Sequence, residues 1–83
     1  MNRAPHTGDR AAVSTAILAY LTRHPRASDT AAGICNWWLA EEGVTGSVDT
    51  VAEVLEELVE QRLLLRVRLP DGAVIYRRGD ARP

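Results

Sequence analysis

Between Val48 and Val59 the apolar residues Val48, Val51, Ala52, Leu55, Leu58 and Val59 recur at spacings of three and four, and a few residues later the spacing drops to two. The first period belongs to one face of an α-helix and the second to a strand. A helix that runs straight into a hairpin leaves few ways to fold the rest of so short a chain. Ser47 stands at the natural N-cap of this helix, and Arg62 lies near its end. In the following "LLLRVRLPDGAVIYRR", Leu65, Val67 and Leu69 alternate with Arg66 and Arg68, "PDG" supplies turn chemistry, and "AVIYRR" returns. A type I turn with Gly72 in the left-handed position pairs Leu69 with Ala73, Val67 with Ile75 and Arg66 with Tyr76. One face then carries Leu65, Val67, Leu69, Ala73 and Ile75, and the other carries Arg66, Arg68, Val74, Tyr76 and Arg78. The apolar face is expected to enter the core.

Two more helices precede these elements. The first is expected from about Asp9 to His24, with Val13, Ile17, Tyr20 and Leu21 on one stripe, Asp9 as cap, Arg23 and His24 at the negative end of the dipole, and Pro25 as the stop. The second is expected to start after Ser28 or Asp29 as cap, to bury Ala31, Ile34, Cys35 and Trp38, and to end at Glu42, where Gly43 can take a left-handed turn. "MNRAPHTG" shows no periodicity and reads as an N-terminal arm, residues 1–8; residues 79–83 read as a tail. The folded domain is placed at residues 9–78. With 83 residues the chain allows one domain, and a domain of this size buries only about 60% of its unfolded surface, so a partner or a second copy would add useful stability.

Three helices, the second and third joined by a short turn, then a two-stranded hairpin: over Asp29 to Gly79, with residues 9–24 in the place of the first helix, the pattern resembles the winged helix-turn-helix superfamily. The implied fold is mainly α with a C-terminal β-hairpin. In that superfamily the third helix usually enters the major groove of DNA and the hairpin, or wing, touches the backbone or minor groove. The resemblance therefore implies a DNA-binding, transcription-regulating module, with Ser47 and Thr50 at the start of the third helix and Arg66, Arg68, Tyr76 and Arg78 on the wing as contact candidates. A homodimer would let two weak half-sites add. Members of the superfamily commonly place Gly or Asn between this helix and the next strand, whereas here the stretch is "EQRLL".

Charge points elsewhere. The net charge of -1 conceals a split: Ser47 to Gln61 holds Asp49, Glu53, Glu56, Glu57 and Glu60 with no base, while Arg62 to Pro83 holds six Arg against Asp71 and Asp80. Asp49, Thr50, Glu53, Glu56, Glu57, Glu60 and Gln61 project outward, where a DNA-reading helix would meet two phosphate strands. Phosphate neutralisation by bases supplies most non-specific affinity, and carboxylates oppose it. Read as structure, the same acids solvate an exposed face and complement the helix N-terminus. The wing arginines allow two readings: guanidinium groups that bind phosphates, or groups that stack on Tyr76 and neutralise the acidic helix of this or another molecule.

The alternative function is a protein-interaction module that keeps the fold and faces a partner with its acidic third helix, Glu53, Glu57 and Glu60, and with a strip of Gly33, Trp37 and Ala40. Adjacent helical residues point about 100° apart, so Trp37 and Trp38 cannot share one stripe. Trp38 belongs with Ile34; Trp37 either packs on the first helix or anchors an interface.

Catalytic chemistry has no residues to rest on. Cys35 falls on an apolar stripe, where an inert thiol is expected, and His6 and His24 have no Cys or carboxylate at metal-ligand spacing. No enzyme, metal or cofactor is expected. A single cysteine, no run of roughly 18 apolar residues and no charged start followed by an apolar stretch lead to the expectation of a cytoplasmic protein.

Overall fold

A computed structural model describes residues 10–79. Helix α1 spans Arg10–Arg23 and buries Val13, Ala16, Ile17 and Leu21. The proposed Asp9 cap, the arm and residues 80–83 lie outside the described residues. Beyond α1 the chain forms a strand that the sequence pattern does not announce, β1, Ser28–Asp29. Two polar residues offer no period to read, and they pair only because a neighbour elsewhere in the chain has a free edge.

Helix α2 covers residues 31–41 as an opening turn Ala31–Gly33, a π-helical segment Ile34–Trp38 and a closing turn Leu39–Glu41. Its cap is Thr30 rather than Ser28 or Asp29: the Thr30 hydroxyl accepts from the Gly33 N–H at 3.1 Å, and the Asp29 carboxylate accepts from the Thr30 N–H at 2.8 Å. The π segment, marked by the Leu39 N–H donating to the Ile34 carbonyl, adds a residue to the turn and buries Leu39 beside Trp38 and Ile34. Helix α3, Val48–Glu60, starts at Ser47, whose hydroxyl accepts from the Thr50 N–H at 3.0 Å. Val51, Val54, Leu55 and Leu58 form its buried stripe, so Val48 and Val59 fall at the margins and Val54 at the centre.

The end of α3 sets the phase of everything after it. Arg62 adopts a left-handed backbone with φ of 67°, the position for which Gly or Asn is preferred. The Leu63 N–H donates to the Leu58 carbonyl and the Arg62 N–H to the Val59 carbonyl, both at 2.9 Å, so the helix closes in a Schellman turn without glycine. Strand β2, Leu64–Arg68, and strand β3, Val74–Arg78, then pair as an antiparallel hairpin whose turn places Gly72 at φ 92°. The ladder continues to Gly79, whose N–H donates to the Leu63 carbonyl at 2.8 Å, one residue past the boundary read from the sequence. The sheet has three antiparallel strands in the order β1-β3-β2, so the fold is a mixed α/β domain of three helices and a three-stranded sheet.

The hairpin register is the expected one, Arg66 opposite Tyr76 and Val67 opposite Ile75, but the face is reversed. Leu64, with 1% of its surface exposed, and Tyr76, with 7%, join the core with Val74 against them, whereas Leu65 is 38% exposed and lies outside the core cluster with Val67, Leu69, Ala73 and Ile75. Strand side chains alternate, so a one-residue change of phase inverts every assignment. The phase comes from the turn at Arg62, which anchors Leu63 to Leu58 on one side and to Gly79 on the other and so aims Leu64 inward.

The core gathers α1, α2 and α3 on that inward face. Tyr20 of α1 is half-buried and stacks on Trp38 of α2, ring centroids 4.7 Å apart and planes 11° from parallel. Cys35 is half-buried, with its thiol donating to the Gly46 carbonyl at 3.2 Å.

Candidate functional site: the outward face of the third helix and the hairpin

The third helix leaves five carboxylates outward, and the chain's own arginines meet three of them. Arg10, at the start of α1, pairs with both Glu53 and Glu57. Arg66 of β2 pairs with Glu56, and the Tyr76 hydroxyl donates to the other oxygen of the same carboxylate at 3.1 Å. Among the described residues Asp49 and Glu60 have no ion pair.

The Glu56, Arg66 and Tyr76 group ties the helix to the hairpin. The Arg66 guanidinium, helped by the Tyr76 hydroxyl, holds the Glu56 carboxyl below the ordinary glutamate range. Burial, then the hydrogen bond to Glu56, pushes the Tyr76 phenol up. The bond to Glu56 likewise raises Arg66. These shifts keep Glu56 charged and Tyr76 neutral at physiological pH, with the phenol as donor. The hairpin is thereby braced against α3 by a charge-assisted contact.

Most of the DNA-contact candidates are engaged within the molecule. The hydroxyls of Ser47 and Thr50 bond each other at 3.0 Å while Ser47 caps the helix, and Thr50 is half-buried. Tyr76, expected on an exposed face, is buried, because the hairpin presents that face to the core. Arg66 is spent on Glu56 of its own chain. Arg68 and Arg78 are exposed and, among the described residues, form no ion pair.

The strip of Gly33, Trp37 and Ala40 does not form as one surface. A Cβ on Gly33 would meet the Asp29 carboxylate at 2.0 Å, so that glycine makes room for the helix cap. The projection that aligned the strip assumes 3.6 residues per turn, and the π segment breaks it. Trp37 is nonetheless 69% exposed and does not pack on α1, and Ala40 is exposed too.

Three contributors have no readable signal in the sequence: Arg10 is 43 and 47 residues from its acids, Gly79 lies past the last apolar repeat, and Leu64 stands beside the alternation that conceals it. Among the described residues no three His, Cys, Asp or Glu side chains are grouped to hold a metal ion, and no helix is long and apolar enough to cross a membrane. Compared with protein-family models, curated proteins and solved structures, the chain matches none of them.

Proposed function

We propose that this chain is a protein-interaction module built on a winged helix-turn-helix scaffold. The order of three helices and a hairpin supports the scaffold, and the engagement of the third helix supports the function. One observation carries the proposal. The helix that would enter a DNA groove has an outward face of carboxylates whose counter-charges, Arg10 and Arg66, are already committed to it, and its polar start, Ser47 and Thr50, is committed to the cap. A phosphate strand approaching this face meets Asp49 and Glu60 unpaired, and to gain Arg10 or Arg66 it would have to break an existing contact.

A second reading keeps DNA, approached by the hairpin alone. It is favoured by Arg68 and Arg78 on one face of the hairpin, with Arg62 and Arg77 nearby, all exposed and none in an ion pair among the described residues. Such contacts would position a duplex without reading its sequence.

Fluorescence anisotropy of a labelled mixed-sequence duplex, titrated with the full chain at low and near-physiological salt, tests the choice. The expected result is no binding at either salt. Binding that falls steeply with salt would overturn the proposal in favour of the hairpin reading.

A further inference from the structure

Strand β2 is an edge. In the order β1-β3-β2 it pairs with β3 on one side only. The Leu69 N–H to Ala73 carbonyl bond and the Gly79 N–H to Leu63 carbonyl bond fix which residues face β3. In an antiparallel ladder bonded pairs alternate, so Leu63, Leu65, Val67 and Leu69 turn their backbone groups to β3, and Leu64, Arg66 and Arg68 turn theirs away. Leu64 is enclosed, 1% exposed, so the edge groups open to a neighbour are those of Arg66 and Arg68, which among the described residues no backbone group outside the sheet meets. The β2 side chains beside the edge alternate between aliphatic and arginine. On the outward face Leu65 stands opposite Arg77 and Val67 opposite Ile75, and on the inward face Arg66 and Arg68 stand beside Tyr76 and Val74.

We propose that this edge receives an extended peptide strand from a partner protein, with aliphatic and acidic residues in alternation. Backbone bonds to Arg66 and Arg68 would hold the strand, and its alternate side chains would read the two faces. Residues facing Leu65 and Val67 would be aliphatic, extending an apolar sheet surface that nothing in the described chain covers. The residue facing Arg68 would be acidic, because Arg68 has no ion pair among the described residues, whereas Arg66 is already met by Glu56. Between Arg62 and Gly79 the hairpin's one acid is Asp71, at the tip, where its carboxylate accepts from the Ala73 N–H at 2.9 Å. From α3, Glu56 meets Arg66, so the uncompensated charge along the strand is that of Arg68.

Two other occupants fit less well. In a second copy paired edge to edge about Arg66 or Val67, arginines of the two chains lie opposite each other on one face, and about Leu65, Arg68 meets the other chain's Arg62; like charges in register destabilise a ladder. Single-stranded nucleic acid would find phosphate ligands but no aromatic stacking platform, because Leu65, Val67, Ile75 and Arg77 of the outward face include no ring.

The inference rests on the protein-interaction reading, and the test separates their failures. The probe is a labelled, end-capped peptide of about seven residues with Glu and Val in alternation, the length of an ordinary strand. Its comparison peptide has Lys in place of Glu. Both are titrated into the full chain by anisotropy, and hydrogen exchange is followed residue by residue. The expected result is saturable binding of the Glu peptide, at least about tenfold weaker binding of the Lys peptide, and new protection of the Arg66 and Arg68 amides. Arg68→Pro removes one outward N–H while leaving the ladder to β3 intact, and should weaken the Glu peptide by at least about tenfold in a protein that still melts cooperatively. A retained ladder is checked by protection of the Val67 amide; should that protection fail, Arg68→Glu supplies the same test through charge alone. No binding of the Glu peptide, equal binding of the two peptides, or protection elsewhere would overturn the edge site and leave the proposed function standing. Displacement of the Glu peptide by duplex DNA would overturn both.

Discussion

Leu64 and Leu65 are neighbours of identical chemistry, and the fold treats them in opposite ways. Replacing each by Ala in turn isolates the phase of the hairpin. Leu64 is 1% exposed within the core cluster, so its truncation removes buried methyl groups and leaves a void that the surrounding α3 and β3 side chains fill only in part. Buried Leu→Ala changes cost about 2–5 kcal/mol. Leu65 is 38% exposed on a face with no layer above it, so the transfer loss is smaller and no enclosed void forms; the cost is about 1 kcal/mol or less. In a domain of this size 1 kcal/mol moves the melting temperature by roughly 4–8 °C, so Leu64→Ala should lower it by roughly 10 °C or more and Leu65→Ala by no more than about 8 °C. Thermal unfolding followed by circular dichroism, with urea unfolding to check that the slope is unchanged, measures both. If Leu65→Ala is the more damaging, the apolar alternation faces the core after all and the reversed hairpin is wrong. The edge proposal would fall with it.

The turn that sets this phase makes its own prediction. A Cβ at Gly79 would lie 2.6 Å from the Arg62 carbonyl oxygen and 3.1 Å from the Leu64 nitrogen, backbone atoms that cannot swing aside, so Gly79→Ala should cost about 1–3 kcal/mol in urea unfolding, and an unchanged midpoint would refute the close approach. Glu56→Gln keeps an acceptor for Tyr76 but removes the charge that Arg66 meets. Because the folded-state pKa of Glu56 is lowered, its contribution is complete above the unfolded value of about 4.3 and is lost as pH falls through the folded value. The wild type should therefore be more stable than Glu56→Gln by up to about 1 kcal/mol at neutral pH, a modest figure for a half-exposed pair, and the gap should close in acid; a pH-independent gap would contradict the assignment. Trp37→Ala should change the unfolding free energy of the isolated protein by no more than about 0.5 kcal/mol, since the ring is 69% exposed, and a large loss would place Trp37 in the core.

Local periodicity was sufficient to place the helices, though not for the Thr30 cap or the π segment of α2. The stripe of Val51, Leu55 and Leu58, the Ser47 cap, and the left-handed Gly43 and Gly72 are all readable because each is decided within a turn or two of chain. The hairpin register was readable for the same reason, from "PDG" and the residues beside it. What could not be read is which face of that hairpin is buried. Alternation specifies two faces but not which is inward when one is aliphatic and the other mixes arginine with Leu64, Val74 and Tyr76; the choice was made by the Schellman turn at Arg62 and by the ring of Tyr76 filling the space beside Glu56. The candidate site divides along the same line. The acids of α3 project outward by helical geometry alone, whereas their pairing with Arg10 and Arg66, and the exposure of Leu65 beside a half-buried Val67 along a free strand edge, depend on how distant segments pack. Sequence determined the elements because their hydrogen bonds and caps are local; tertiary structure decided their faces and partners, because burial and charge pairing depend on residues far apart in the chain.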